Sequence, residues 1–217
     1  MTTVPGGPSR FAAVVVAGGS ARRMGGIDKL ALDVGGRPIL DHVLAAARPL
    51  CETVVVVGPA RATGVPDVAF TVEAEPGGGP VPAVAAGLAA VATTMSIDDD
   101  TAVAVLAADL PLLTTAHVAL LFEALADPSA RAAAAVDDEG RPHPLLAVHR
   151  SMALQACLTE LAAVPAGMAG SPALSGLPAT RLLPADVVTV ALGPAATLNV
   201  NRPADLDRAR HLIGARQ

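Results

Sequence analysis

Hydrophobic positions along the chain fall into short, nearly unbroken runs that alternate with longer stretches at helical spacing. FAAVVV (11–16), TVVVV (53–57) and TAVAVLA (101–107) are continuous apolar runs of strand length, the pattern of strands buried on both faces. VAFTVE (68–73) and DVVTVAL (186–192) read as further strands, and ARAAAAV and PLLAV as two more flanking the turn DDEGR (137–141). LALDV (30–34) is predicted as a short strand followed by a GGRP turn. Helices are predicted from Pro38 to about Arg48, Pro82 to about Met95, Thr114 to Ala126, Ser151 to Ala163, and from Pro203 onward. Strand–helix alternation of this kind predicts an α/β fold, a three-layer α/β/α sandwich with a mostly parallel central sheet. One domain spanning 1–217 is expected, with 1–9 a disordered tail, while the Pro/Gly-rich segment 164–185 yields no assignment. Polar segments 17–29, 74–80 and 108–111 all follow predicted strands, where ligands bind in open parallel sheets.

Composition narrows the function. Hydrophobic residues make up 52% of the chain, but Phe11, Phe70 and Phe122 are the only aromatics, which argues against base-stacking platforms. The net charge of −5, without a basic cluster, argues against nucleic acid as a partner. Cys51 and Cys157 are too few for a disulfide framework and read as small core residues in a reducing compartment. MTTVPGGPSR lacks the apolar stretch of a signal peptide, and the long uncharged run 161–180 is broken by Pro and Gly. A cytoplasmic protein with no membrane partner is expected.

Rare letters sharpen the picture. The excess of Ala, Gly, Pro, Arg and Val suggests a GC-rich coding bias, yet Lys29 is the sole lysine and Asn199 and Asn201 are the only asparagines. Lys29 ends the loop AGGSARRMGGIDK (17–29), where Gly18 and Gly19 allow close backbone approach and Arg22, Arg23 and Lys29 gather positive charge. A solvated surface loop would also look glycine- and arginine-rich. The density of features after a core strand favours triphosphate binding, although the pattern is neither a Walker A loop nor G-x-G-x-x-G. A lysine, a compact point charge on a flexible stem, can follow phosphate oxygens as their geometry changes. Asp109 in ADLP is a hard oxygen donor suited to Mg²⁺, or alternatively a turn cap. Glu73 and Glu75 in EAEPGGGPVP can accept hydrogen bonds from a base or ribose, or be plain surface charge. Asn199 and Asn201 share a face by alternation; Asn201 can assist the metal, bind a second substrate, or cap the last helix. His143 and Arg141 are candidates for the phosphate of an accepting substrate, against packing or surface roles. The acidic run 98–100 reads as a solvated loop.

The loop 16–29, ADLP and NVNRPADL (199–206), in this order, resemble the molybdenum cofactor guanylyltransferases, members of the NTP-transferase group with a Rossmann-like fold. The resemblance implies a Mg²⁺-dependent transfer of GMP from GTP to the phosphate of molybdopterin cofactor, releasing pyrophosphate. It implies that Val16, Ala17, Gly18, Gly19 and Ser20 hold the nucleotide, with guanine and ribose met by backbone groups. Arg23 and Lys29 would bind the triphosphate, Asp109 the metal with Asn201 helping, and Glu73 the nucleotide. Asn199, Asn201 and His143 would face the pterin. Molybdoenzyme apo-proteins or their chaperones are implied as further partners. Three departures stand out: Glu73 where the family has an aspartate, VVGPAR (56–61) where it has a polar residue, and Arg202 where it has threonine. Two rivals are a cytidylyltransferase of the same fold, whose loop reads A-A-G where this one reads AGG (17–19), and a catalytically silent nucleotide or pterin carrier. Transfer chemistry of this type asks mainly for positioning and charge stabilisation, and no Ser-His-Asp or Cys-His set is evident.

Overall fold

Val14 lies between Val55 on one side and Val105 on the other, so the three continuous apolar runs become three adjacent parallel strands. The computed structural model describes residues 7–18, 28–163 and 174–215. In chain order these form β1 (Arg10–Val16), β2 (Asp33–Val34), β3 (Arg37–Pro38), α1 (Ile39–Ala47), β4 (Thr53–Val57), β5 (Val68–Thr71) and α2 (Pro80–Thr94). There follow β6 (Thr101–Ala107), α3 (Thr115–Glu123), β7 (Ala132–Val136), β8 (Pro142–Arg150), α4 (Ser151–Ala163), β9 (Val188–Val190) and α5 (Pro203–Gly214). The main sheet runs β5-β4-β1-β6-β8-β7-β9. Only β8 is antiparallel to its neighbours, so the sheet is mostly parallel, in a Rossmann-like α/β arrangement.

Burial on both faces explains the unbroken runs. Ala13 and Val15 pack with α1, α3 and α5, while Ala12 and Val14 pack with α2 and α4. Each fully buried Val or Leu contributes roughly 1.5–3 kcal/mol of transfer free energy. The small residues let helices come close. At Gly87 in α2 a Cβ would stand 2.3 Å from Val14 Cγ1 and 2.9 Å from Val57 Cγ2.

Several boundaries differ from expectation, each for a local reason. The strand predicted over LALDV is instead a 3₁₀ turn at Lys29–Ala31, and only Asp33–Val34 pairs, with Arg37–Pro38. Gly35 (φ 64°) and Gly36 (φ 84°) make the tight link between them, a conformation other residues rarely adopt. Helix α2 begins at Pro80 rather than Pro82, because a proline in the first turn lacks only an N–H that would have no helical partner. Helix α3 is shorter than predicted, with Thr114 as its cap, accepting from His117 N. Ser9, placed in the tail by the sequence, donates its backbone N–H to Asp100 Oδ1 at 3.0 Å and its hydroxyl to Oδ2. Cys51 is buried, but Cys157 is only partly so, its thiol facing Arg181 O at 3.3 Å; both are free. Among the described residues no helix is long and apolar enough to cross a membrane.

From β1 the chain crosses to β4 and β5 on one side, then returns to β6 on the other. The strand order therefore reverses at β1/β6, where adjacent crossovers diverge and open a crevice beyond the strands' carboxyl ends.

Candidate active site

The crevice is lined by Val16, Ala17 and Gly18 from the end of β1, and by Ala107, Ala108 and Asp109 from the end of β6. Lys29, Glu73, Gly79, Pro80, Leu145, Asn199 and Asn201 complete it.

Lys29 reaches it from a braced turn. Asp28 Oδ1 accepts from Leu30 N at 3.1 Å, capping the 3₁₀ turn, and Leu30 is buried beneath it. The other oxygen of Asp28 is ion-paired with Arg61 Nη1, from the loop after β4. From this base the ammonium donates to Asp109 Oδ2 at 2.7 Å, Asn201 Oδ1 at 3.0 Å and Val200 O at 3.1 Å. An ammonium has three donors, and all three are used. The side chains of Lys29 and Asp109 are only 12% and 14% exposed, so the pair sits in a poorly solvated place where charge interactions are strong.

Asp109 stands at the end of a fully buried strand. Its backbone carbonyl accepts from Val200 N at 3.0 Å, which docks the segment 198–201 against the strand end. Its Oδ2 takes Lys29, while Oδ1 is buried with no hydrogen-bond partner. Neither oxygen acts as the turn cap that the sequence left open. Asn201 does not cap α5 with its side chain either. Asp205 reaches back to accept from Asn201 N at 3.0 Å and Arg202 N at 2.8 Å, which frees the Asn201 side chain to face Lys29. Asn199 and Asn201 both line the crevice, as alternation predicts, although 198–201 joins no sheet.

The carboxylate of Glu73 lies beside Gly18, where a Cβ would stand 3.1 Å from Oε1. Its Oε2 accepts from Gly77 N at 3.1 Å, holding the glycine-rich loop. Glu75 is exposed and does not line the crevice. Arg141 does not line the crevice; its exposed guanidinium pairs with Asp137 at 2.9 Å and Glu139 at 2.8 Å across their own turn. His143 is half-buried on β8; burial lowers its pKa, against the opposing pull of nearby Asn199 and Asp109. His143 Nδ1 and Asn199 Oδ1 are both buried without a hydrogen-bond partner. Gly19, Ser20, Arg22 and Arg23 lie outside the described residues.

The donor set suits a hard cation. Asp109 Oδ1 is a buried carboxylate oxygen without a partner, and the second carboxylate oxygen, Oδ2, converges with the Asn201 amide oxygen and the Val200 carbonyl on the Lys29 ammonium. Among the described residues no group of three or more His, Cys, Asp or Glu is placed to hold a metal ion. One carboxylate with neutral oxygens is how Mg²⁺ is usually held when phosphates supply the other ligands.

Asp28 and Arg61 escaped sequence reading. Asp28 directly precedes the sole lysine, a cue that was there to read, but its partner Arg61 lies 33 residues away.

A doubly wound sheet with a cation–carboxylate cleft at its switch point defines a nucleotide-binding type of α/β protein. The chain belongs to the MobA-like NTP transferase family, whose model matches residues 13–175. It is 37% identical over 141 residues to a molybdenum cofactor guanylyltransferase of Rhodopseudomonas palustris, a stretch covering 63% of this chain and 65% of that one. It is 32% identical over 145 residues to a probable molybdenum cofactor guanylyltransferase of Chloroflexus aggregans, covering 65% of this chain and 66% of the relative. The match thus spans just under two thirds of those relatives' length. Among solved structures, the fold resembles molybdopterin-guanine dinucleotide biosynthesis protein A from Archaeoglobus fulgidus (TM-score 0.64, 20% identity, 94% of this chain and 99% of that one). It also resembles 2-C-methyl-D-erythritol 4-phosphate cytidylyltransferase from Thermus thermophilus (TM-score 0.62, 19% identity, 94% and 98%). The fold alone therefore does not choose the base.

Proposed function

We propose that the protein is a nucleotidyltransferase that moves GMP from Mg²⁺-GTP to the phosphate of molybdopterin cofactor. A phosphate oxygen of the pterin attacks the α-phosphorus of GTP. The bond from that phosphorus to the oxygen bridging the β-phosphate breaks, and pyrophosphate leaves with the electron pair. The observation that carries this reading is the convergence of Lys29, Asp109 and Asn201 at the switch-point cleft.

The chain's own residues act by placement. The backbone at Gly18, just past the last hydrogen bonds of the strand end (Ala17 N to Val57 O at 2.9 Å and Ala108 N to Val16 O at 3.1 Å), meets the base and ribose. Lys29, on its braced turn, meets phosphate oxygens and stabilises charge growing on the leaving pyrophosphate. Asp109 and Asn201 hold the metal, which when bound neutralises the phosphates and polarises the reacting phosphorus. Asn199, with its unpartnered amide oxygen, offers an acceptor to the pterin, and His143 backs it. The reaction belongs in the cytoplasm, and molybdoenzyme apo-proteins or their chaperones are the expected recipients of the product.

Choice of GTP over CTP rests on Gly18 and Glu73 together. An alanine at position 18, as in the cytidylyl relatives' loop, would press on the Glu73 carboxylate at 3.1 Å. Glycine leaves that edge open for a purine and its amino group. The test is pyrophosphate release with each of the four NTPs, with and without molybdopterin and Mg²⁺. Turnover with GTP is the expected result, turnover with CTP alone would make the protein a cytidylyltransferase, and binding without release would make it a carrier.

A further inference from the structure

We infer that Lys29 is the resident cation of the metal site, and that a divalent ion enters by exchanging with its ammonium. This rests on the reading of Asp109 as the metal ligand.

The oxygens that hold the ammonium are those a metal would need. Asp109 Oδ2, Asn201 Oδ1 and Val200 O lie 2.7–3.1 Å from Lys29 Nζ, ammonium distances, whereas Mg²⁺ draws its ligands to about 2.0–2.1 Å. Asn201 and Val200 contribute neutral oxygens, so Asp109 is the one formal negative charge in the cradle, and Lys29 already balances it. A second, doubly charged cation on the same carboxylate would face the ammonium across a few ångströms in a poorly solvated cleft. The repulsion is relieved if the ammonium leaves.

The local build allows that exchange at little cost. The backbone of Lys29 is pinned by the Asp28 cap and its Arg61 ion pair, and Leu30 is buried. Only the four-carbon stem has to move, and it swings within a crevice that Lys29 itself lines. Arginine is less suited to this part. Its planar, five-donor fork would overfill a site with three converging oxygens. A single lysine in a chain that otherwise uses only arginine for its fixed positive charges is thus accounted for at this position. The ligand-free cleft never holds Asp109 as an unpaired charge, and a metal arriving alone competes against a built-in ion. A metal arriving with a triphosphate does not, because the phosphates receive the displaced ammonium.

The uniqueness of the lysine supplies the test. Lys29 and the α-amine are the only amines of this sequence, so after hydroxylamine removes labile thiol and hydroxyl esters, mass spectrometry reads stable acylation at those two sites, with the α-amine as internal reference. Mn²⁺ alone is expected to raise the acylation rate of Lys29 severalfold relative to the α-amine. Lys29→Gln is expected to bind Mn²⁺ about tenfold more tightly than wild type, within the usual range of coupling between two ligands, as read by the electron-paramagnetic-resonance signal of free Mn²⁺. Asp109→Asn is the control. If it leaves Mn²⁺ affinity unchanged, the metal reading itself falls, and the exchange with it. If it abolishes Mn²⁺ binding while Mn²⁺ leaves Lys29 acylation in wild type unchanged, the metal reading stands and the exchange is overturned.

Discussion

The ammonium of Lys29 lies 2.7 Å from Asp109 Oδ2, joining two segments 80 residues apart and across the switch point of the sheet. Removing either partner should be felt in turnover more than in folding, because both groups sit at the rim of the core. We expect Lys29→Ala and Asp109→Asn each to lower GTP-dependent pyrophosphate release by roughly 10²–10³-fold, the usual loss when one preorganised charge-stabilising group is deleted. Circular dichroism should still show the native fold, with the melting temperature lowered in Lys29→Ala, which leaves the poorly solvated Asp109 carboxylate without its partner. A variant that retains near-normal release would remove its residue from the site.

Arg61 is a positioning residue. Its ion pair holds Asp28, and Asp28 caps the turn that presents Lys29. Arg61→Ala leaves the cap hydrogen bond but loosens the brace. Release should fall roughly 10-fold through misplacement of the lysine, with the loss mainly in kcat and little change in the melting temperature. Arg61→Lys should recover part of it, since a lysine can still pair with Asp28. Steady-state kinetics of the three proteins would show whether the brace matters.

How far these features could be read from the sequence depended on how local their causes are. The runs at β1, β4 and β6 were legible because consecutive central positions in them are buried, so no alternation blurs the apolar signal. The bounds of α4 and the start of α5 were legible from helical spacing and from Pro203. LALDV was not, since five residues of mixed pattern fit a strand or a capped 3₁₀ turn equally, and the choice was made by the Asp28 cap. The capping role of Asn201 could be set aside only in three dimensions, where its amide oxygen accepts from Lys29 and Asp205 takes the Asn201 and Arg202 N–H groups ahead of the helix. Arg61 was invisible because its partner lies on another element. The sequence likewise does not show that Arg141 stands outside the crevice lining, paired across its own turn.

Gly87 should resist enlargement. An added Cβ would overlap Val14 Cγ1 at 2.3 Å, and Val14 is held by parallel partners on both sides. Alanine would gain about 1 kcal/mol of helix propensity but lose about 1–3 kcal/mol to overpacking, and a contact this short puts the loss at the upper end. Gly87→Ala should therefore lower the midpoint of urea unfolding. Val14→Ala removes the clashing methyl groups but costs stability of its own, so Gly87→Ala should cost less in a Val14→Ala background than in wild type. Equal costs in the two backgrounds would show that the contact is not the cause.

His149 sets the acid side of the stability profile. It lies on β8 between Val103 and Ala132, is 2% exposed, and has no partner for Nε2. Burial pushes its pKa from 6.5 down to about 4. The unfolded chain therefore takes up a proton near pH 6.5, while the folded protein refuses it until about pH 4. Stability is fully present above pH 6.5 and is lost progressively as the pH falls toward 4, by roughly 3 kcal/mol in all. His143, also lowered by burial, acts in the same direction. The surface carboxylates of Asp100, Asp127, Asp137 and Asp186 are held below their ordinary value of 3.8 by hydrogen bonds, so their titration falls beneath this window. Urea unfolding at half-unit steps from pH 7.5 to 4.5 should show the decline in wild type. His149→Leu, which cannot titrate, should flatten most of it, and an unchanged slope in that variant would assign the acid sensitivity to another group.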